Sequence, residues 1–303
     1  MKLGICFTDY SWDVPVGDLS ALVSDLAQQA DDTGFDSLWV MDHFFQIHLT
    51  GLPTESPLPE AYTTLSFLAG RTRRIRLGTL VTSVAYRYPG VLLKQATSLD
   101  VFSGGRMYFG IGAGARFDPE PMGPGTRWEA EGLGIPFPPL AERFERLEET
   151  LRIAHRMWSD DETPFHGTHY TMMRPLNSPQ SVQRPHPPIL VAGGGEKKTL
   201  RLVAQYADAC NLSDMPGIGL GDNISRKLDV LRKHCADLGR DYAAIEKTVG
   251  TQFDATADPR PFLDRLRELA ELGVDHVMVA PRQAWTEARL GALAALLPEI
   301  SGL

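Results

Sequence analysis

The chain has 303 residues, 43% apolar and 22% charged, with a formal net charge of −8. That length supports a large buried core, and one domain over residues 1–303 is the expectation. Its acidic balance and scattered Lys and Arg exclude nucleic acid as the main business, which leaves small molecules as expected partners.

In chain order, Lys2 to Phe7 reads as a buried strand, and Asp18 stands as the N-cap of a helix with Leu19, Leu22, Val23, Leu26, Ala27 and Ala30 at helical spacing. Gly34 ends that helix, Ser37 to Met41 is the next strand, and Pro59 to Gly70 reads as a helix. Ile75, Leu77, Leu80 and Val81 form a third apolar run, a helix follows from Pro89, and Met107 to Ile111 is a fourth. A long helix with a stripe through Leu140, Phe144, Leu147, Leu151 and Ala154 ends near Trp158. Strands at Ile189–Ala192, Ala209–Leu212, Ile245–Phe253 and His276–Ala280 then alternate with helices through Leu200–Ala207, Asn223–Leu238, Pro261–Leu272 and Gln283–Leu297.

Eight strand–helix units in about 300 residues is the arithmetic of an α/β TIM barrel, whose functional groups sit on the loops after the strands. A doubly wound open sheet is the rival, but it announces itself with a GxGxxG turn that opens a helix, and the Gly110, Gly112, Gly114 series leads into a long loop instead. Segments 42–57 and 112–138 both follow strands, so both are candidate lids over the C-terminal face. Residues 159–188 follow a helix and belong at the opposite end unless they climb the outside wall.

Cys6, Cys210 and Cys235 are too few and too dispersed for a disulfide framework or a zinc site, so a reducing cytoplasm is expected. No apolar run approaches the roughly 18–20 residues that cross a bilayer. Met1 leads straight into a strand with no basic n-region and cleavage site, so neither a membrane partner nor a signal-borne export is expected.

Asp42–His43 directly follows the second strand, where the His can move a proton and the Asp can fix its tautomer; the bland alternative is an Asp that caps a loop beside a packed His. Gly193–Gly194–Gly195 lies between a strand and a helix start, where backbone amides can bind a phosphate and Lys197 or Lys198 can add charge. A tight turn with solvated lysines explains the same residues. Tyr10, Trp12, Phe44, Phe45, Tyr86 and Trp128 can wall a planar ligand or simply pack. Clustered metal-ligating histidines are lacking, and a hydrolase needing two carboxylates would have to draw one from Glu120, Glu129 or Glu131 in the second lid.

Taken as a set, WVMDHF, LGTLVTSVAYRYPGVLLKQATSLDVFSGGR, GIGAG, GIPFPPLAERFERLEETL and RPHPPILVAGGGEKKTLRLVAQYADACNL resemble the luciferase-like monooxygenase superfamily, most closely its coenzyme F420-dependent oxidoreductase branch. The resemblance runs from Lys2 to about Leu212. It implies a ring resting on a bulge in the third strand with a non-proline cis peptide at about Leu80–Val81, beside Thr82, Gly112 and Ala113. The cofactor phosphate would meet Gly193, Gly194 and Gly195 with Lys198 nearby, and Asp42 and His43 would stand near ring and substrate. A substrate pocket would then be walled by Tyr10, Trp12, Phe45, Ala115 and Trp128.

One departure is Ala115, where deazaflavin-dependent sugar dehydrogenases place a Glu that can act as acid; the FDPEPMGPGTRW insertion also lengthens the loop that follows. The resemblance implies hydride transfer between the deazaflavin C5 and an activated alkene, imine or carbonyl, with His43, held by Asp42, delivering the proton. The alternatives are a reduced-FMN-dependent monooxygenase and a non-catalytic flavin-binding relative. Family members are often dimers, so a homodimer is the expectation.

Overall fold

The computed structural model describes residues 1–47, 50–114, 126–215 and 220–303. Its framework is a ring of eight parallel strands: β1 (Lys2–Phe7), β2 (Ser37–Val40), β3 (Arg76–Thr79), β4 (Met107–Gly112), β5 (Ile189–Ala192), β6 (Ala209–Met215), β7 (Glu246–Phe253) and β8 (His276–Pro281). Each pairs with the one before it, and β8 returns to β1 in the register Lys2↔His276, which closes the barrel. This is the TIM barrel expected from the alternation of apolar runs. Thr82–Ser83 pairs with the end of β4, and Leu220–Gly221 turns back antiparallel on the end of β6.

Around the ring lie α1 (Leu19–Thr33), α2 (Ala61–Ala69), α3 (Pro89–Ser103), α4 (Thr126–Gly132), α5 (Leu140–Trp158), α6 (Thr199–Tyr206), α7 (Ile224–Leu238), α8 (Arg260–Glu271), α9 (Glu287–Ala294) and α10 (Leu297–Ile300). Two local expectations are corrected. A 3-10 turn at Val16–Asp18 precedes α1, and Asp18 has helical backbone angles and makes no capping bond with its side chain. The closing helix is two short ones, and α4 adds a short helix within residues 112–138.

The main core lies between strands and helices, with Leu26, Leu65, Leu93, Leu151 and Leu266 all fully buried. A smaller cluster fills the barrel itself: Cys6, Trp39, Tyr108, Leu190, Ala209 and Met278. Trp39 occupies the centre because Gly78 faces it, where a Cβ would lie 2.8 Å from the indole Cε3. Its Nε1 donates to Ser37 Oγ at 2.6 Å, and Ser37 in turn bonds His276 Nε2 at 2.8 Å. Near the N-terminal end, Tyr108 donates to Glu246 at 2.8 Å and Lys2 donates to the same carboxylate at 2.8 Å. These contacts plug the bottom of the barrel, so a ligand can enter only from the C-terminal ends of the strands.

Of residues 159–188, the last stretch lies at the plugged end, where the Val182 and Gln183 amides donate to Asp100 of α3 and Gln183 Nε2 reaches the Met107 carbonyl at the start of β4. The part before it climbs the outside wall: the His169 and Tyr170 amides donate to Glu149 of α5, His169 Nε2 lies 2.8 Å from Glu145 Oε2, and a Cβ at Gly90, at the start of α3, would lie 3.0 Å from Met172. Among the described residues no helix is long and apolar enough to cross a membrane, and no His, Cys, Asp or Glu cluster could hold a metal.

Candidate active site

A cavity of about 650 Å³ opens at the C-terminal end of the barrel, within the size range of small-molecule sites. Its floor is made by Leu80 and Val81, joined by a cis peptide bond at the position the resemblance implied. The glycines of β4 make room for this bulge. A Cβ at Gly110 would collide with the Thr79 carbonyl oxygen, and one at Gly112 would lie 3.2 Å from a Val81 methyl. The GIGAG spacing is therefore explained by close approach of β3 to β4. Thr82 lies behind the floor, fully buried, with its hydroxyl bonded to Tyr62 at 2.8 Å and Thr79 at 3.0 Å.

His43 lines the cavity, with 20% of its side chain exposed. Its Nδ1 stands 2.8 Å from Glu129 Oε2, so the carboxylate fixes the proton on Nδ1 and leaves Nε2 for a ligand. Glu129 comes from α4 and is 1% exposed. The same carboxylate accepts from the Tyr86 hydroxyl at 2.5 Å and from the Phe44 and Phe45 amides. Burial alone would raise its pKa; the hydrogen bonds with His43, Tyr86 and the Phe44 amide outweigh it and hold the carboxyl below its usual range.

Asp42 does not hold His43, contrary to expectation. It is 1% exposed and forms a two-pronged pair with Arg87, at 2.6 and 2.9 Å. Arg87 also donates to Glu60 at 2.5 Å and lies over the Tyr62 ring. Burial pushes the Asp42 carboxyl up, and the guanidinium fork on both oxygens opposes that. Asp42 thus braces the chain behind β2, and Glu129 takes the role assigned to it.

The glycine loop meets the cavity at Gly193, which has φ +121°. The amides of Gly194 and Gly195 donate to no group among the described residues, whereas Gly193 N is bonded to the Asn211 carbonyl. Lys198 Nζ lies 5.3 Å from the centre of the Phe144 ring. Asp222, which the sequence reading passed over, lines the cavity beside Gly193.

Four expected pocket residues sit elsewhere. Tyr10 is 1% exposed and packs edge-on between Phe7 and Trp12, and Trp12 donates its Nε1 to the Trp285 carbonyl at 2.6 Å. Phe45 meets Trp128 at 5.4 Å, so this pair pins α4 onto the loop after β2 and does not wall the cavity. Ala113 is buried, its carbonyl accepting from Arg143 at 2.7 Å, and Ala115 lies outside the described residues. The polar wall comes instead from Thr8, Asn211, Ser213, Thr251 and Arg282 at the ends of other strands.

Residues 18–289 match the family model described as luciferase-like monooxygenase. A curated relative, the F420-dependent glucose-6-phosphate dehydrogenase of Kineococcus radiotolerans, is 30% identical over 258 residues, covering 83% of this chain and 69% of its own. Among solved structures, an F420-dependent secondary alcohol dehydrogenase in complex with an F420–acetone adduct superposes with a TM-score of 0.80 at 15% identity, over 99% of this chain and 98% of its own. The monooxygenase RslO1 of Streptomyces bottropensis superposes with a TM-score of 0.75 at 20% identity, over 99% of both chains. At those identities the two structures speak to the fold alone. With the family model matched from the first helix to the last units of the barrel, the chain belongs to the luciferase-like monooxygenase family.

Proposed function

We propose that the chain is an F420-dependent oxidoreductase that moves a hydride between the deazaflavin C5 and a carbon of a small organic substrate. The observation that carries this reading is a single cavity holding both an apolar floor at Leu80–Val81 and an imidazole whose Nδ1 is already committed to Glu129. The 30% identity to a dehydrogenase named as F420-dependent supports the choice of cofactor.

The residues present fit such a group. Leu80 and Val81 offer an apolar seat for a planar ring, and the unpaired amides of Gly194 and Gly195 offer donors to its phosphate. F420 supplies the hydride when reduced and accepts it when oxidised. His43 does the proton work at Nε2: with Nδ1–H held by Glu129, Nε2 takes the proton of an alcohol, or returns it to a carbonyl oxygen. That chemistry favours an alcohol–carbonyl couple within the wider class of carbonyls, imines and activated alkenes. Glu129 keeps the imidazole oriented and faces the positive charge it takes on.

The enzyme works in a reducing cytoplasm, where its three buried cysteines stay free. It pairs as a homodimer through the outer side of α3, where Val91 and Phe102 are 60% and 76% exposed and share a groove with Met172 and Leu176. Light scattering on the eluting protein at micromolar concentration tests this: twice the 33.4 kDa chain mass is expected, and a monomer overturns it.

A parallel titration with F420 and FMN tests the cofactor. F420 binding at least tenfold tighter, about 1.4 kcal/mol, is expected. The second reading, a reduced-FMN monooxygenase, would be indicated by the opposite preference.

A further inference from the structure

Asp222 places a carboxylate against the glycine loop. A Cβ at Gly194 would lie 2.7 Å from the Asp222 carboxyl carbon, so only a glycine allows the two segments to meet. The carboxylate is held there from both sides: Oδ2 accepts from the Ser213 amide at 3.0 Å, and the Asp222 amide donates to the Ser213 carbonyl at 2.7 Å. Among the described residues no lysine or arginine pairs with Asp222, whereas its strand neighbour Asp214 is neutralised by Arg265 at 2.7 Å.

Of the cations near the loop, Arg226, Lys227 and Lys198 are engaged elsewhere, and Lys197 is exposed to solvent. Glu196 holds Arg226 at 2.9 Å and Lys227 at 2.8 Å, and Lys198 rests over Phe144. A phosphate at the Gly194 and Gly195 amides therefore meets amide donors on one side and, on the other, a carboxylate with no ion-pair partner among the described residues. Such a site is charge-limited. Each added negative charge on the ligand strengthens the repulsion from Asp222, and the amide dipoles gain less than a lysine or arginine would.

We infer that Asp222 selects the cofactor by the charge of its phosphate: it admits a singly charged phosphodiester and disfavours a doubly charged phosphomonoester. F420 carries a phosphodiester at this position, and FMN carries a monoester whose second ionisation, near pH 6, leaves it close to −2 at neutral pH. This deepens the function proposed above and rests on it, since the phosphate must reach the glycine loop.

The test is a set of equilibrium titrations at pH 7.5 with F420, FMN and riboflavin, on the wild-type chain and on Asp222→Asn. The amide keeps an oxygen for the Ser213 N–H and removes the charge. FMN binding tightens about tenfold in the variant and F420 binding by less than threefold. Riboflavin, which has no phosphate, binds both proteins equally, and that equality shows that the ring seat is intact. An FMN-to-riboflavin affinity ratio that does not change on substitution overturns the role of Asp222, as does equal tightening of FMN and F420. Failure of F420 to bind either protein overturns the function proposed above instead, and leaves the FMN-to-riboflavin ratio to judge Asp222 by itself.

Discussion

His43 Nδ1 and Glu129 Oε2 stand 2.8 Å apart although 86 residues separate them in sequence, and that contact ties α4 to the imidazole lining the cavity. One carboxylate thereby sets the tautomer of the histidine and fastens the loop after β2, through the Phe44 and Phe45 amides. The imidazole and α4 are held together through one carboxylate, Glu129.

Replacing His43 by Ala should lower kcat about a hundredfold, the lower range for loss of a positioned acid or base, with F420 affinity changed by less than threefold. Stopped-flow rates and a binding titration separate the two effects. An unchanged kcat would remove His43 from the proton path.

Glu129→Gln keeps an acceptor but loses the charge that faces His43 and the strong bonds to Tyr86 and the two amides. Loss of partners to a buried carboxylate costs about 1–3 kcal/mol, read by urea unfolding. The inflection of the kcat–pH profile should also move to lower pH in the variant, because the carboxylate that favours the charged imidazole is gone; a purely structural role would leave it in place.

The Asp42–Arg87 pair gives a second stability test. Arg87→Ala leaves Asp42 buried without a counter-charge and should cost about 3–5 kcal/mol. Adding Asp42→Asn should restore part of that loss, so a double-mutant cycle shows strong coupling. Additive effects would mean that the pair is not a unit.

Glu246 predicts the acid behaviour of the barrel bottom. Burial raises its pKa, and contact with His276, Lys2 and Tyr108 overcomes this and holds it at about 2. A carboxylate depressed from about 4.3 contributes on the order of 3 kcal/mol that is fully present above the unfolded value and lost as pH falls from about 4 to about 2. Urea midpoints of wild type and Glu246→Gln should differ at pH 6 and converge near pH 2; a constant difference would contradict this.

Much of the framework was legible because buried parallel strands read as apolar runs, and each was followed by a stripe at helical spacing. The floor at Leu80–Val81 was legible only through the family resemblance, since the glycines that admit it, Gly110 and Gly112, also fit a phosphate loop on spacing alone. Proximity misled at Asp42: the neighbour in sequence turned to Arg87, which follows the third strand, while a carboxylate from the second lid took the histidine. Tyr10 and Trp12 carried no sign of direction, and the packing of Phe7 and Trp285 drew them into the wall. Asp222 was silent because nothing local marks an aspartate that acts on a loop some 28 residues earlier.

The most direct test of the central claim is an anaerobic assay that follows deazaflavin absorbance while wild type and His43→Ala are presented with oxidised F420 and a panel of secondary alcohols and aldoses. Bleaching of the deazaflavin by wild type with at least one substrate, slowed about a hundredfold in the variant, is the predicted result. No bleaching with any substrate, at an F420 concentration that saturates binding, would contradict it.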